Sequence, residues 1–295
     1  MPYEGSARAA PRSSRPVSFV IVQAANESLD IPALAARIPL PDESARRATQ
    51  ALVDARGGLG RLGEVAVWLA AVQGRSPAAP FERIRVVGLP AEAGPSDAVT
   101  MEVPSEAEPA FVAGMAAANA EVDSGADLLV LTGGADLVPA TALVSLLAGK
   151  DVASVVGYRP GMDDRDWMRV CAAVRDTARR GRPHTGELAT LLAMLPAPEA
   201  AAAAGVIAGA AARRTAVLID DLVPAAAALV TQRISYRMSR WLAATQRTTD
   251  PGHSAALERL RVTPLLDYGM AGGLGLGAQL AVPHIQVAAQ LLSEA

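Results

Sequence analysis

Four short apolar runs, at residues 84–87, 127–131, 152–156 and 216–219, are separated by stretches with the length and period of helices. Residues 128–131 and 216–219 are unbroken apolar blocks of four, the length of a buried strand, and the other two runs are each interrupted by one polar residue, Arg85 or Ser154. Strands buried on both sides and alternating with helices predict a parallel sheet covered by helices on both faces, an α/β Rossmann-like fold. The helices expected around them span residues 110–124, 139–148, 164–180, 199–214 and 224–232. Upstream, Asp42 is a plausible N-cap for a helix reaching about Ala55, stopped by Gly57-Gly58. Leu59, Leu62, Val65, Leu69 and Val72 then mark an amphipathic helix over 59–73, and residues 277–292 close the chain as another. Residues 17–23 form a short strand candidate. Residues 89–109, with four prolines and little periodicity, read as a loop or linker with a strand near 99–103. In such sheets ligands bind beyond the carboxyl ends of the strands, which directs attention to residues 132–136, 157–164 and Asp220-Asp221.

The core must be built from small aliphatic residues, because the chain is 51% hydrophobic but only 3% aromatic. A formal net charge of −3 argues against a nucleic-acid partner, which requires a basic face. One cysteine, Cys171, excludes an internal disulfide and a cysteine zinc cluster, and His184, His253 and His284 fall in no metal-ligand spacing. No metal site and no cofactor are expected. No run reaches the ~20 apolar residues of a membrane span. The apolar stretch behind Arg8, Arg12 and Arg15 is shorter than the ~7 to 15 residues of a signal peptide core. Residues 1–16 are expected to form a disordered tail, and the protein is expected to be cytoplasmic.

Four segments carry a family resemblance. They are Gly57-Gly58-Leu59-Gly60-Arg61-Leu62-Gly63-Glu64; Ala216-Val217-Leu218-Ile219-Asp220-Asp221 with the alanine-rich stretch behind it; Asp250-Pro251-Gly252-His253; and Pro264-Leu265-Leu266-Asp267 followed by Gly273-Leu274-Gly275-Leu276-Gly277-Ala278. In this order they resemble the nicotinate-nucleotide:dimethylbenzimidazole phosphoribosyltransferases. That family moves phosphoribosyl from nicotinate mononucleotide onto a benzimidazole nitrogen, in making the lower ligand of cobalamin. The resemblance implies a parallel-sheet large domain, a small helical domain from both chain ends, and a dimer. Expected boundaries are a partly disordered extension at 1–30, a small-domain helical segment at 31–80, the α/β domain at 81–265 and a closing segment at 266–295.

The resemblance also shows departures. The family's catalytic glutamate lies in Gly-Glu-Gly-Thr-Gly, where this chain has Leu274, and leucine takes no proton. Its Gly-Glu-Met-Gly-Ile-Gly-Asn-Thr-Thr-Ala loop corresponds to residues 133–142, with Gly134 at the glutamate position, Asp136 where it repels phosphate, and Pro139 without an amide hydrogen. Its Gly-Arg-Gly-Thr-Gly-Leu-Asp loop corresponds to 157–163. Its Asp-His-Gly-Val strand end has no counterpart. By resemblance, the candidate substrate contacts are Gly133, Gly134, Thr141, Gly157, Arg159, Gly161, Asp163, Asp220, Gly273 and Gly275. A replacement base would be sought at Asp220, with Asp136 and Asp163 behind it. The expected function is a phosphoribosyltransferase relative with impaired catalysis that binds a nucleotide or aromatic base, or serves as partner subunit, as homodimer or as heterodimer with a paralogue. The alternative is an active transferase with a changed acceptor base.

Other groups have plainer readings. Asp250, His253 and Asp267 form a conceivable catalytic set, but Asp-Pro-Gly is a turn and the histidine opens a helix. Asp220-Asp221 at a strand end either binds a metal or ribose, or caps the next helix. Arg61 and Cys171 read as structural, and Arg179, Arg180 and Arg182 as a solvated helix end favoured by the dipole.

Overall fold

The computed structural model describes residues 29–90, 98–159, 161–272 and 275–292. Most of the N-terminal extension, with its expected tail and strand, lies outside them. Five strands, β1 (Ile84–Gly88), β2 (Val99–Thr100), β3 (Leu128–Thr132), β4 (Ala216–Ile219) and β5 (Leu242–Ala244), form one sheet in the order β2-β1-β3-β4-β5. All pairings are parallel, with Val130 opposite Val86 on one side and Leu218 on the other. Every residue of β3 and β4 is buried, so the sheet centre is covered on both faces, as the unbroken apolar runs predict.

The alanine content explains how the helices reach this sheet. Helix α4 (Ala107–Asp123) crosses α9 (Pro198–Ala212), and thirteen of the fifteen α9 residues are buried. At the crossing a Cβ on Gly114 would lie 1.9 Å from the carbonyl oxygen of Ala202, and one on Gly205 would lie 2.0 Å from that of Phe111. Backbone therefore touches backbone, and only glycine fits. A helix buried all round carries no polar stripe, which is why α9 has no amphipathic period in the sequence.

Near the chain start, α2 (Glu43–Arg56) is capped by Asp42, whose carboxylate accepts the Ala45 amide at 2.7 Å, and ends at Gly57 with φ 65°. Helix α3 (Gly60–Gln73) ends at Gly74 in the left-handed region. It packs against α12 (Leu276–Gln290) from the other end of the chain. Gln286 of α12 brackets Phe81, accepting from its amide at 2.9 Å and donating to its carbonyl at 2.8 Å.

The expected strand at 152–156 is instead a four-residue helix, α6 (Val152–Val155). Asp151 accepts the Ala153 amide and so starts the turn, and Val155 is buried against helices with no strand beside it. The run of valines carries strand propensity, but packing overrides it. The edge position is filled by β5, whose three residues give too short a signal to recognise. Also unanticipated are α1 (Ile31–Arg37) and α8 (Leu188–Met194). The loop at 89–109 contains β2 as its described strand, and α4 begins within it at Ala107. The helices α5 (Leu137–Ala148), α7 (Asp164–Gly181) and α10 (Leu222–Ile234) fall where the sequence places them. Among the described residues no helix is long and apolar enough to cross a membrane.

Candidate functional site

The carboxyl ends of β3, β4 and β5 deliver Thr132, Asp220 and Thr245 to one point. Asp220 is fully buried. One carboxylate oxygen accepts from the Thr245 hydroxyl and from Gln246 Nε2 at 3.2 Å, and the other accepts from the Thr132 hydroxyl at 3.3 Å. The backbone amide of Ala278, in the first turn of α12, adds a further donor. Burial pushes the carboxyl above its ordinary range, while these hydrogen bonds pull it back. The carboxylate thus sits at a helix N-terminus, where backbone amides and dipole favour a negative charge.

That arrangement explains one glycine of the C-terminal run. A Cβ on Gly277 would stand 2.5 Å from both Asp220 Oδ1 and Gln246 Nε2, so α12 can dock on the carboxylate only without a side chain there. Gly275 stands at the N-cap of α12 with φ 63°. Gly273 and Leu274, the latter at the position matching the family's catalytic glutamate, lie outside the described residues. Asp221, next after Asp220, adopts φ 75° and ψ 179°, a backbone region open almost only to glycine.

The loop after β3 is also occupied from within. Gly133 and Gly134 take φ 88° and 107°, turning the chain so that the amides of Ala135 and Asp136 converge. Both donate to Glu199 Oε2, at 2.7 and 2.9 Å. Glu199, in the first turn of α9, is buried, which raises its carboxyl above the usual range against those two bonds. Thr141 lies in α5 and gives its hydroxyl to the Leu137 carbonyl at 2.7 Å. Pro139 sits in the first turn of the same helix, where its missing amide costs nothing.

The segment beginning at Gly157 follows a helix, not a strand as expected, yet Gly157 lies beside the loop that leaves β5. A Cβ on Gly157 would meet Pro251 Cδ at 2.7 Å, in the first turn of α11 (Pro251–Leu260). Arg159 is exposed and its charge lowers the carboxyl of Asp250, which burial otherwise raises. Gly161 has φ 81°, and Asp163 caps α7 by accepting the Asp166 amide at 2.7 Å. Tyr158, which sequence reasoning passed over, is 60% exposed and stacks on Trp167 with ring centres 5.5 Å apart. Its hydroxyl donates to Asp164 at 3.1 Å.

Asp250, His253 and Asp267 do not converge as a catalytic set. Asp250 accepts the amides of Gly252 and His253 at 2.7 and 3.3 Å. Asp267 pairs with Arg247 at 3.3 Å. His253 is fully buried, and its Nδ1 accepts from the Thr248 amide and hydroxyl, so the ring proton belongs on Nε2. Burial, aided by the Arg247 charge, lowers its pKa to about 4. Its Nε2 and the Oε1 of Gln246 are buried without a hydrogen-bond partner among the described residues. Thr245, Gln246 and Glu199 were the residues missed. Glu199 was legible only as a first-turn acid of its helix, and the other two follow a strand too short to notice.

Comparison with known proteins matches this architecture. A family model described as phosphoribosyltransferase covers residues 95–295. The nicotinate-nucleotide–dimethylbenzimidazole phosphoribosyltransferase of Streptomyces avermitilis is 42% identical over 204 residues, which are 67% of this chain and 53% of that protein. That match therefore spans about half the length of the relative. The Mycobacterium ulcerans protein of the same name is 33% identical over 329 residues, 88% of this chain and 92% of its own. That alignment is longer than this 295-residue chain, so the relative carries segments without counterpart here. The crystal structure of the Thermus thermophilus protein of that name superposes with a TM-score of 0.75 at 25% identity, over 85% of this chain and 96% of that one. The chain belongs to the nicotinate-nucleotide–dimethylbenzimidazole phosphoribosyltransferase family.

Proposed function

We propose that this chain binds a nucleotide or an aromatic base at the carboxyl ends of its strands but transfers phosphoribosyl poorly or not at all. The observation that carries this reading is Asp220. It is the carboxylate the fold delivers to the strand ends, and it is engaged by Thr132, Thr245, Gln246 and the α12 amide. A general base must reach the proton it removes, and Asp220 is fully buried behind its own donors. Leu274 supplies no base. The amides of Ala135 and Asp136, which would suit a phosphate, already hold Glu199. Exposed Tyr158 and Arg159 remain to meet a flat ring or an anion.

One observation favours an active transferase with a relocated base: a carboxyl raised by burial at a strand end is the environment enzymes give a base. The test is a melting-temperature screen with nicotinate mononucleotide and dimethylbenzimidazole, followed by mass spectrometry for the transfer product. A ligand that binds only the folded state raises the melting temperature. Binding without product is expected, with product gained on Leu274→Glu. Product from the unaltered chain that Asp220→Ala abolishes, and Leu274→Glu leaves alone, would sink the reading. A partner-subunit role in a mixed dimer would reuse the family's isologous face. Recovery of the chain from its native cells as a homodimer alone would count against that version.

A further inference from the structure

A cavity of about 750 Å³ opens at the amino ends of the strands, on the opposite side from Asp220. Leu242, the first residue of β5, lines it, together with the last turns of α10 and α11. Helix α10 spans thirteen residues between the two ends, which is ~20 Å at 1.5 Å per residue. The cavity is distinct from the site described above.

Its charge is reversed relative to the chain. Arg61, Arg233, Arg240, Arg259 and Arg261 line it against the single acid Glu64, in a protein of formal charge −3. Arg61 pairs with Glu64 and also donates to the Thr263 carbonyl at 2.5 Å. Arg233 donates to the Thr185 carbonyl at 3.1 Å. Arg240, Arg259 and Arg261 are exposed and make no ion pair among the described residues. Helix dipoles account for part of this, since Arg233 and Arg259 sit in the last turns of α10 and α11. They do not account for Arg61, which stands in the first turn of α3, where a cation is disfavoured, nor for Arg240, which lies on a 3₁₀ turn. Two rings share the space in a chain that is 3% aromatic. Trp68 is half-buried, its Nε1 donating to the Arg240 carbonyl at 3.2 Å, and Tyr236 is largely exposed.

We propose that this cleft binds a phosphorylated aromatic ligand of the nucleoside diphosphate class. Guanidinium forks pair bidentately with phosphate oxygens, and several of them lining one cleft suit more than one phosphate charge. Trp68 and Tyr236 offer faces to a flat ring, and arginine stacks on such rings as well. The volume falls within the ~300 to 1,000 Å³ of small-molecule pockets.

The test titrates the full chain by calorimetry with ADP, and separately with pyrophosphate, at low salt. Wild type is expected to bind ADP, with pyrophosphate at least tenfold weaker for want of a ring. Arg240→Ala with Arg261→Ala is expected to lose at least tenfold in ADP affinity. Arg165→Ala with Arg169→Ala, an equal charge change on α7 near the other site, is expected to leave binding unchanged. Arg240→Lys with Arg261→Lys retains the charge without the fork, should weaken binding to a smaller degree, and serves if the alanine pair is unstable. Absence of ADP binding, equal binding in the alanine pair, or loss in the α7 pair instead would overturn the proposal. Pyrophosphate binding as tightly as ADP would overturn the nucleotide assignment. Leu274→Glu, which tests the transferase reading, should not alter this binding, so the two readings fail separately.

Discussion

Asp221 offers a test in which the usual order of two substitutions inverts. At φ 75° and ψ 179° it holds a backbone conformation that any Cβ strains, at a cost of roughly 1 to 3 kcal/mol. Replacing Asp221 by glycine or by alanine removes the same buried carboxylate and whatever contacts it makes. The two variants differ only in the Cβ. In ordinary positions alanine is the more stable, by roughly 0.5 to 1 kcal/mol, because glycine gains more freedom on unfolding. Here the strain outweighs that term, so Asp221→Gly should exceed Asp221→Ala by about 1 kcal/mol. Urea denaturation followed by circular dichroism reads the difference, provided the two slopes agree. Alanine equal to or more stable than glycine would refute the strain argument, whatever either variant does relative to wild type.

Three further outcomes follow from the same geometry. His253 titrates at about 4 when folded against its ordinary 6.5, so the unfolded chain binds more protons between those values and stability falls as pH drops through that window, by about 3 kcal/mol in all. The buried carboxyls of Asp220, Glu199 and Asp250 are raised and act in the opposite direction, so the measurement is the difference between wild type and His253→Gln across pH 4 to 7. A difference that does not vary with pH would contradict a neutral buried ring. Gly205→Ala drives a Cβ onto the Phe111 carbonyl and should cost about 3 kcal/mol in urea, whereas Gly186→Ala, with nothing within 4 Å, should change little; equal effects would refute the contact. Gly277→Ala should lift α12 from Asp220 and Gln246, detected as faster amide exchange in α12 with the sheet unchanged; protection equal to wild type would show that Gly277 is not the contact.

The central sheet was legible because β3 and β4 are apolar on both faces, a pattern that neither a surface strand nor a loop sustains. Helices with caps of their own, such as Asp42 before α2 and Asp163 before α7, were legible for a local reason: the capping residue sits beside the turn it starts. The failures were non-local. Residues 152–155 carry strand-forming valines, and packing among helices, with the Asp151 cap, turns them helical. β5 is three residues whose identity depends on pairing with β4. At the site, Asp220 was found because it ends a recognisable strand. Its donors Thr245 and Gln246, and the Glu199 that fills the loop after β3, come from segments distant in sequence, and nothing local marks them.

Backbone amides aimed at the ligand side of the sheet have a common feature. Asp220 meets the start of α12, Glu199 meets the amides of Ala135 and Asp136, Asp163 caps α7 and Asp250 caps α11. Each of these positions is one where a phosphate would ordinarily be received, and each is engaged by a carboxylate of the chain itself. An incoming phosphate would have to displace a hydrogen-bonded carboxylate and then sit close to its charge, and both steps oppose binding. At the amino ends of the strands the balance is reversed, with five guanidiniums lining the cleft, four of them in no ion pair among the described residues, and a single acid beside them. Electrostatics alone would therefore send a polyphosphate to the arginine cleft and leave the strand ends to an aromatic base or a nucleotide with a single phosphate. If ADP protects Tyr158 from modification and Trp68 stays accessible, this ordering of the two faces is wrong.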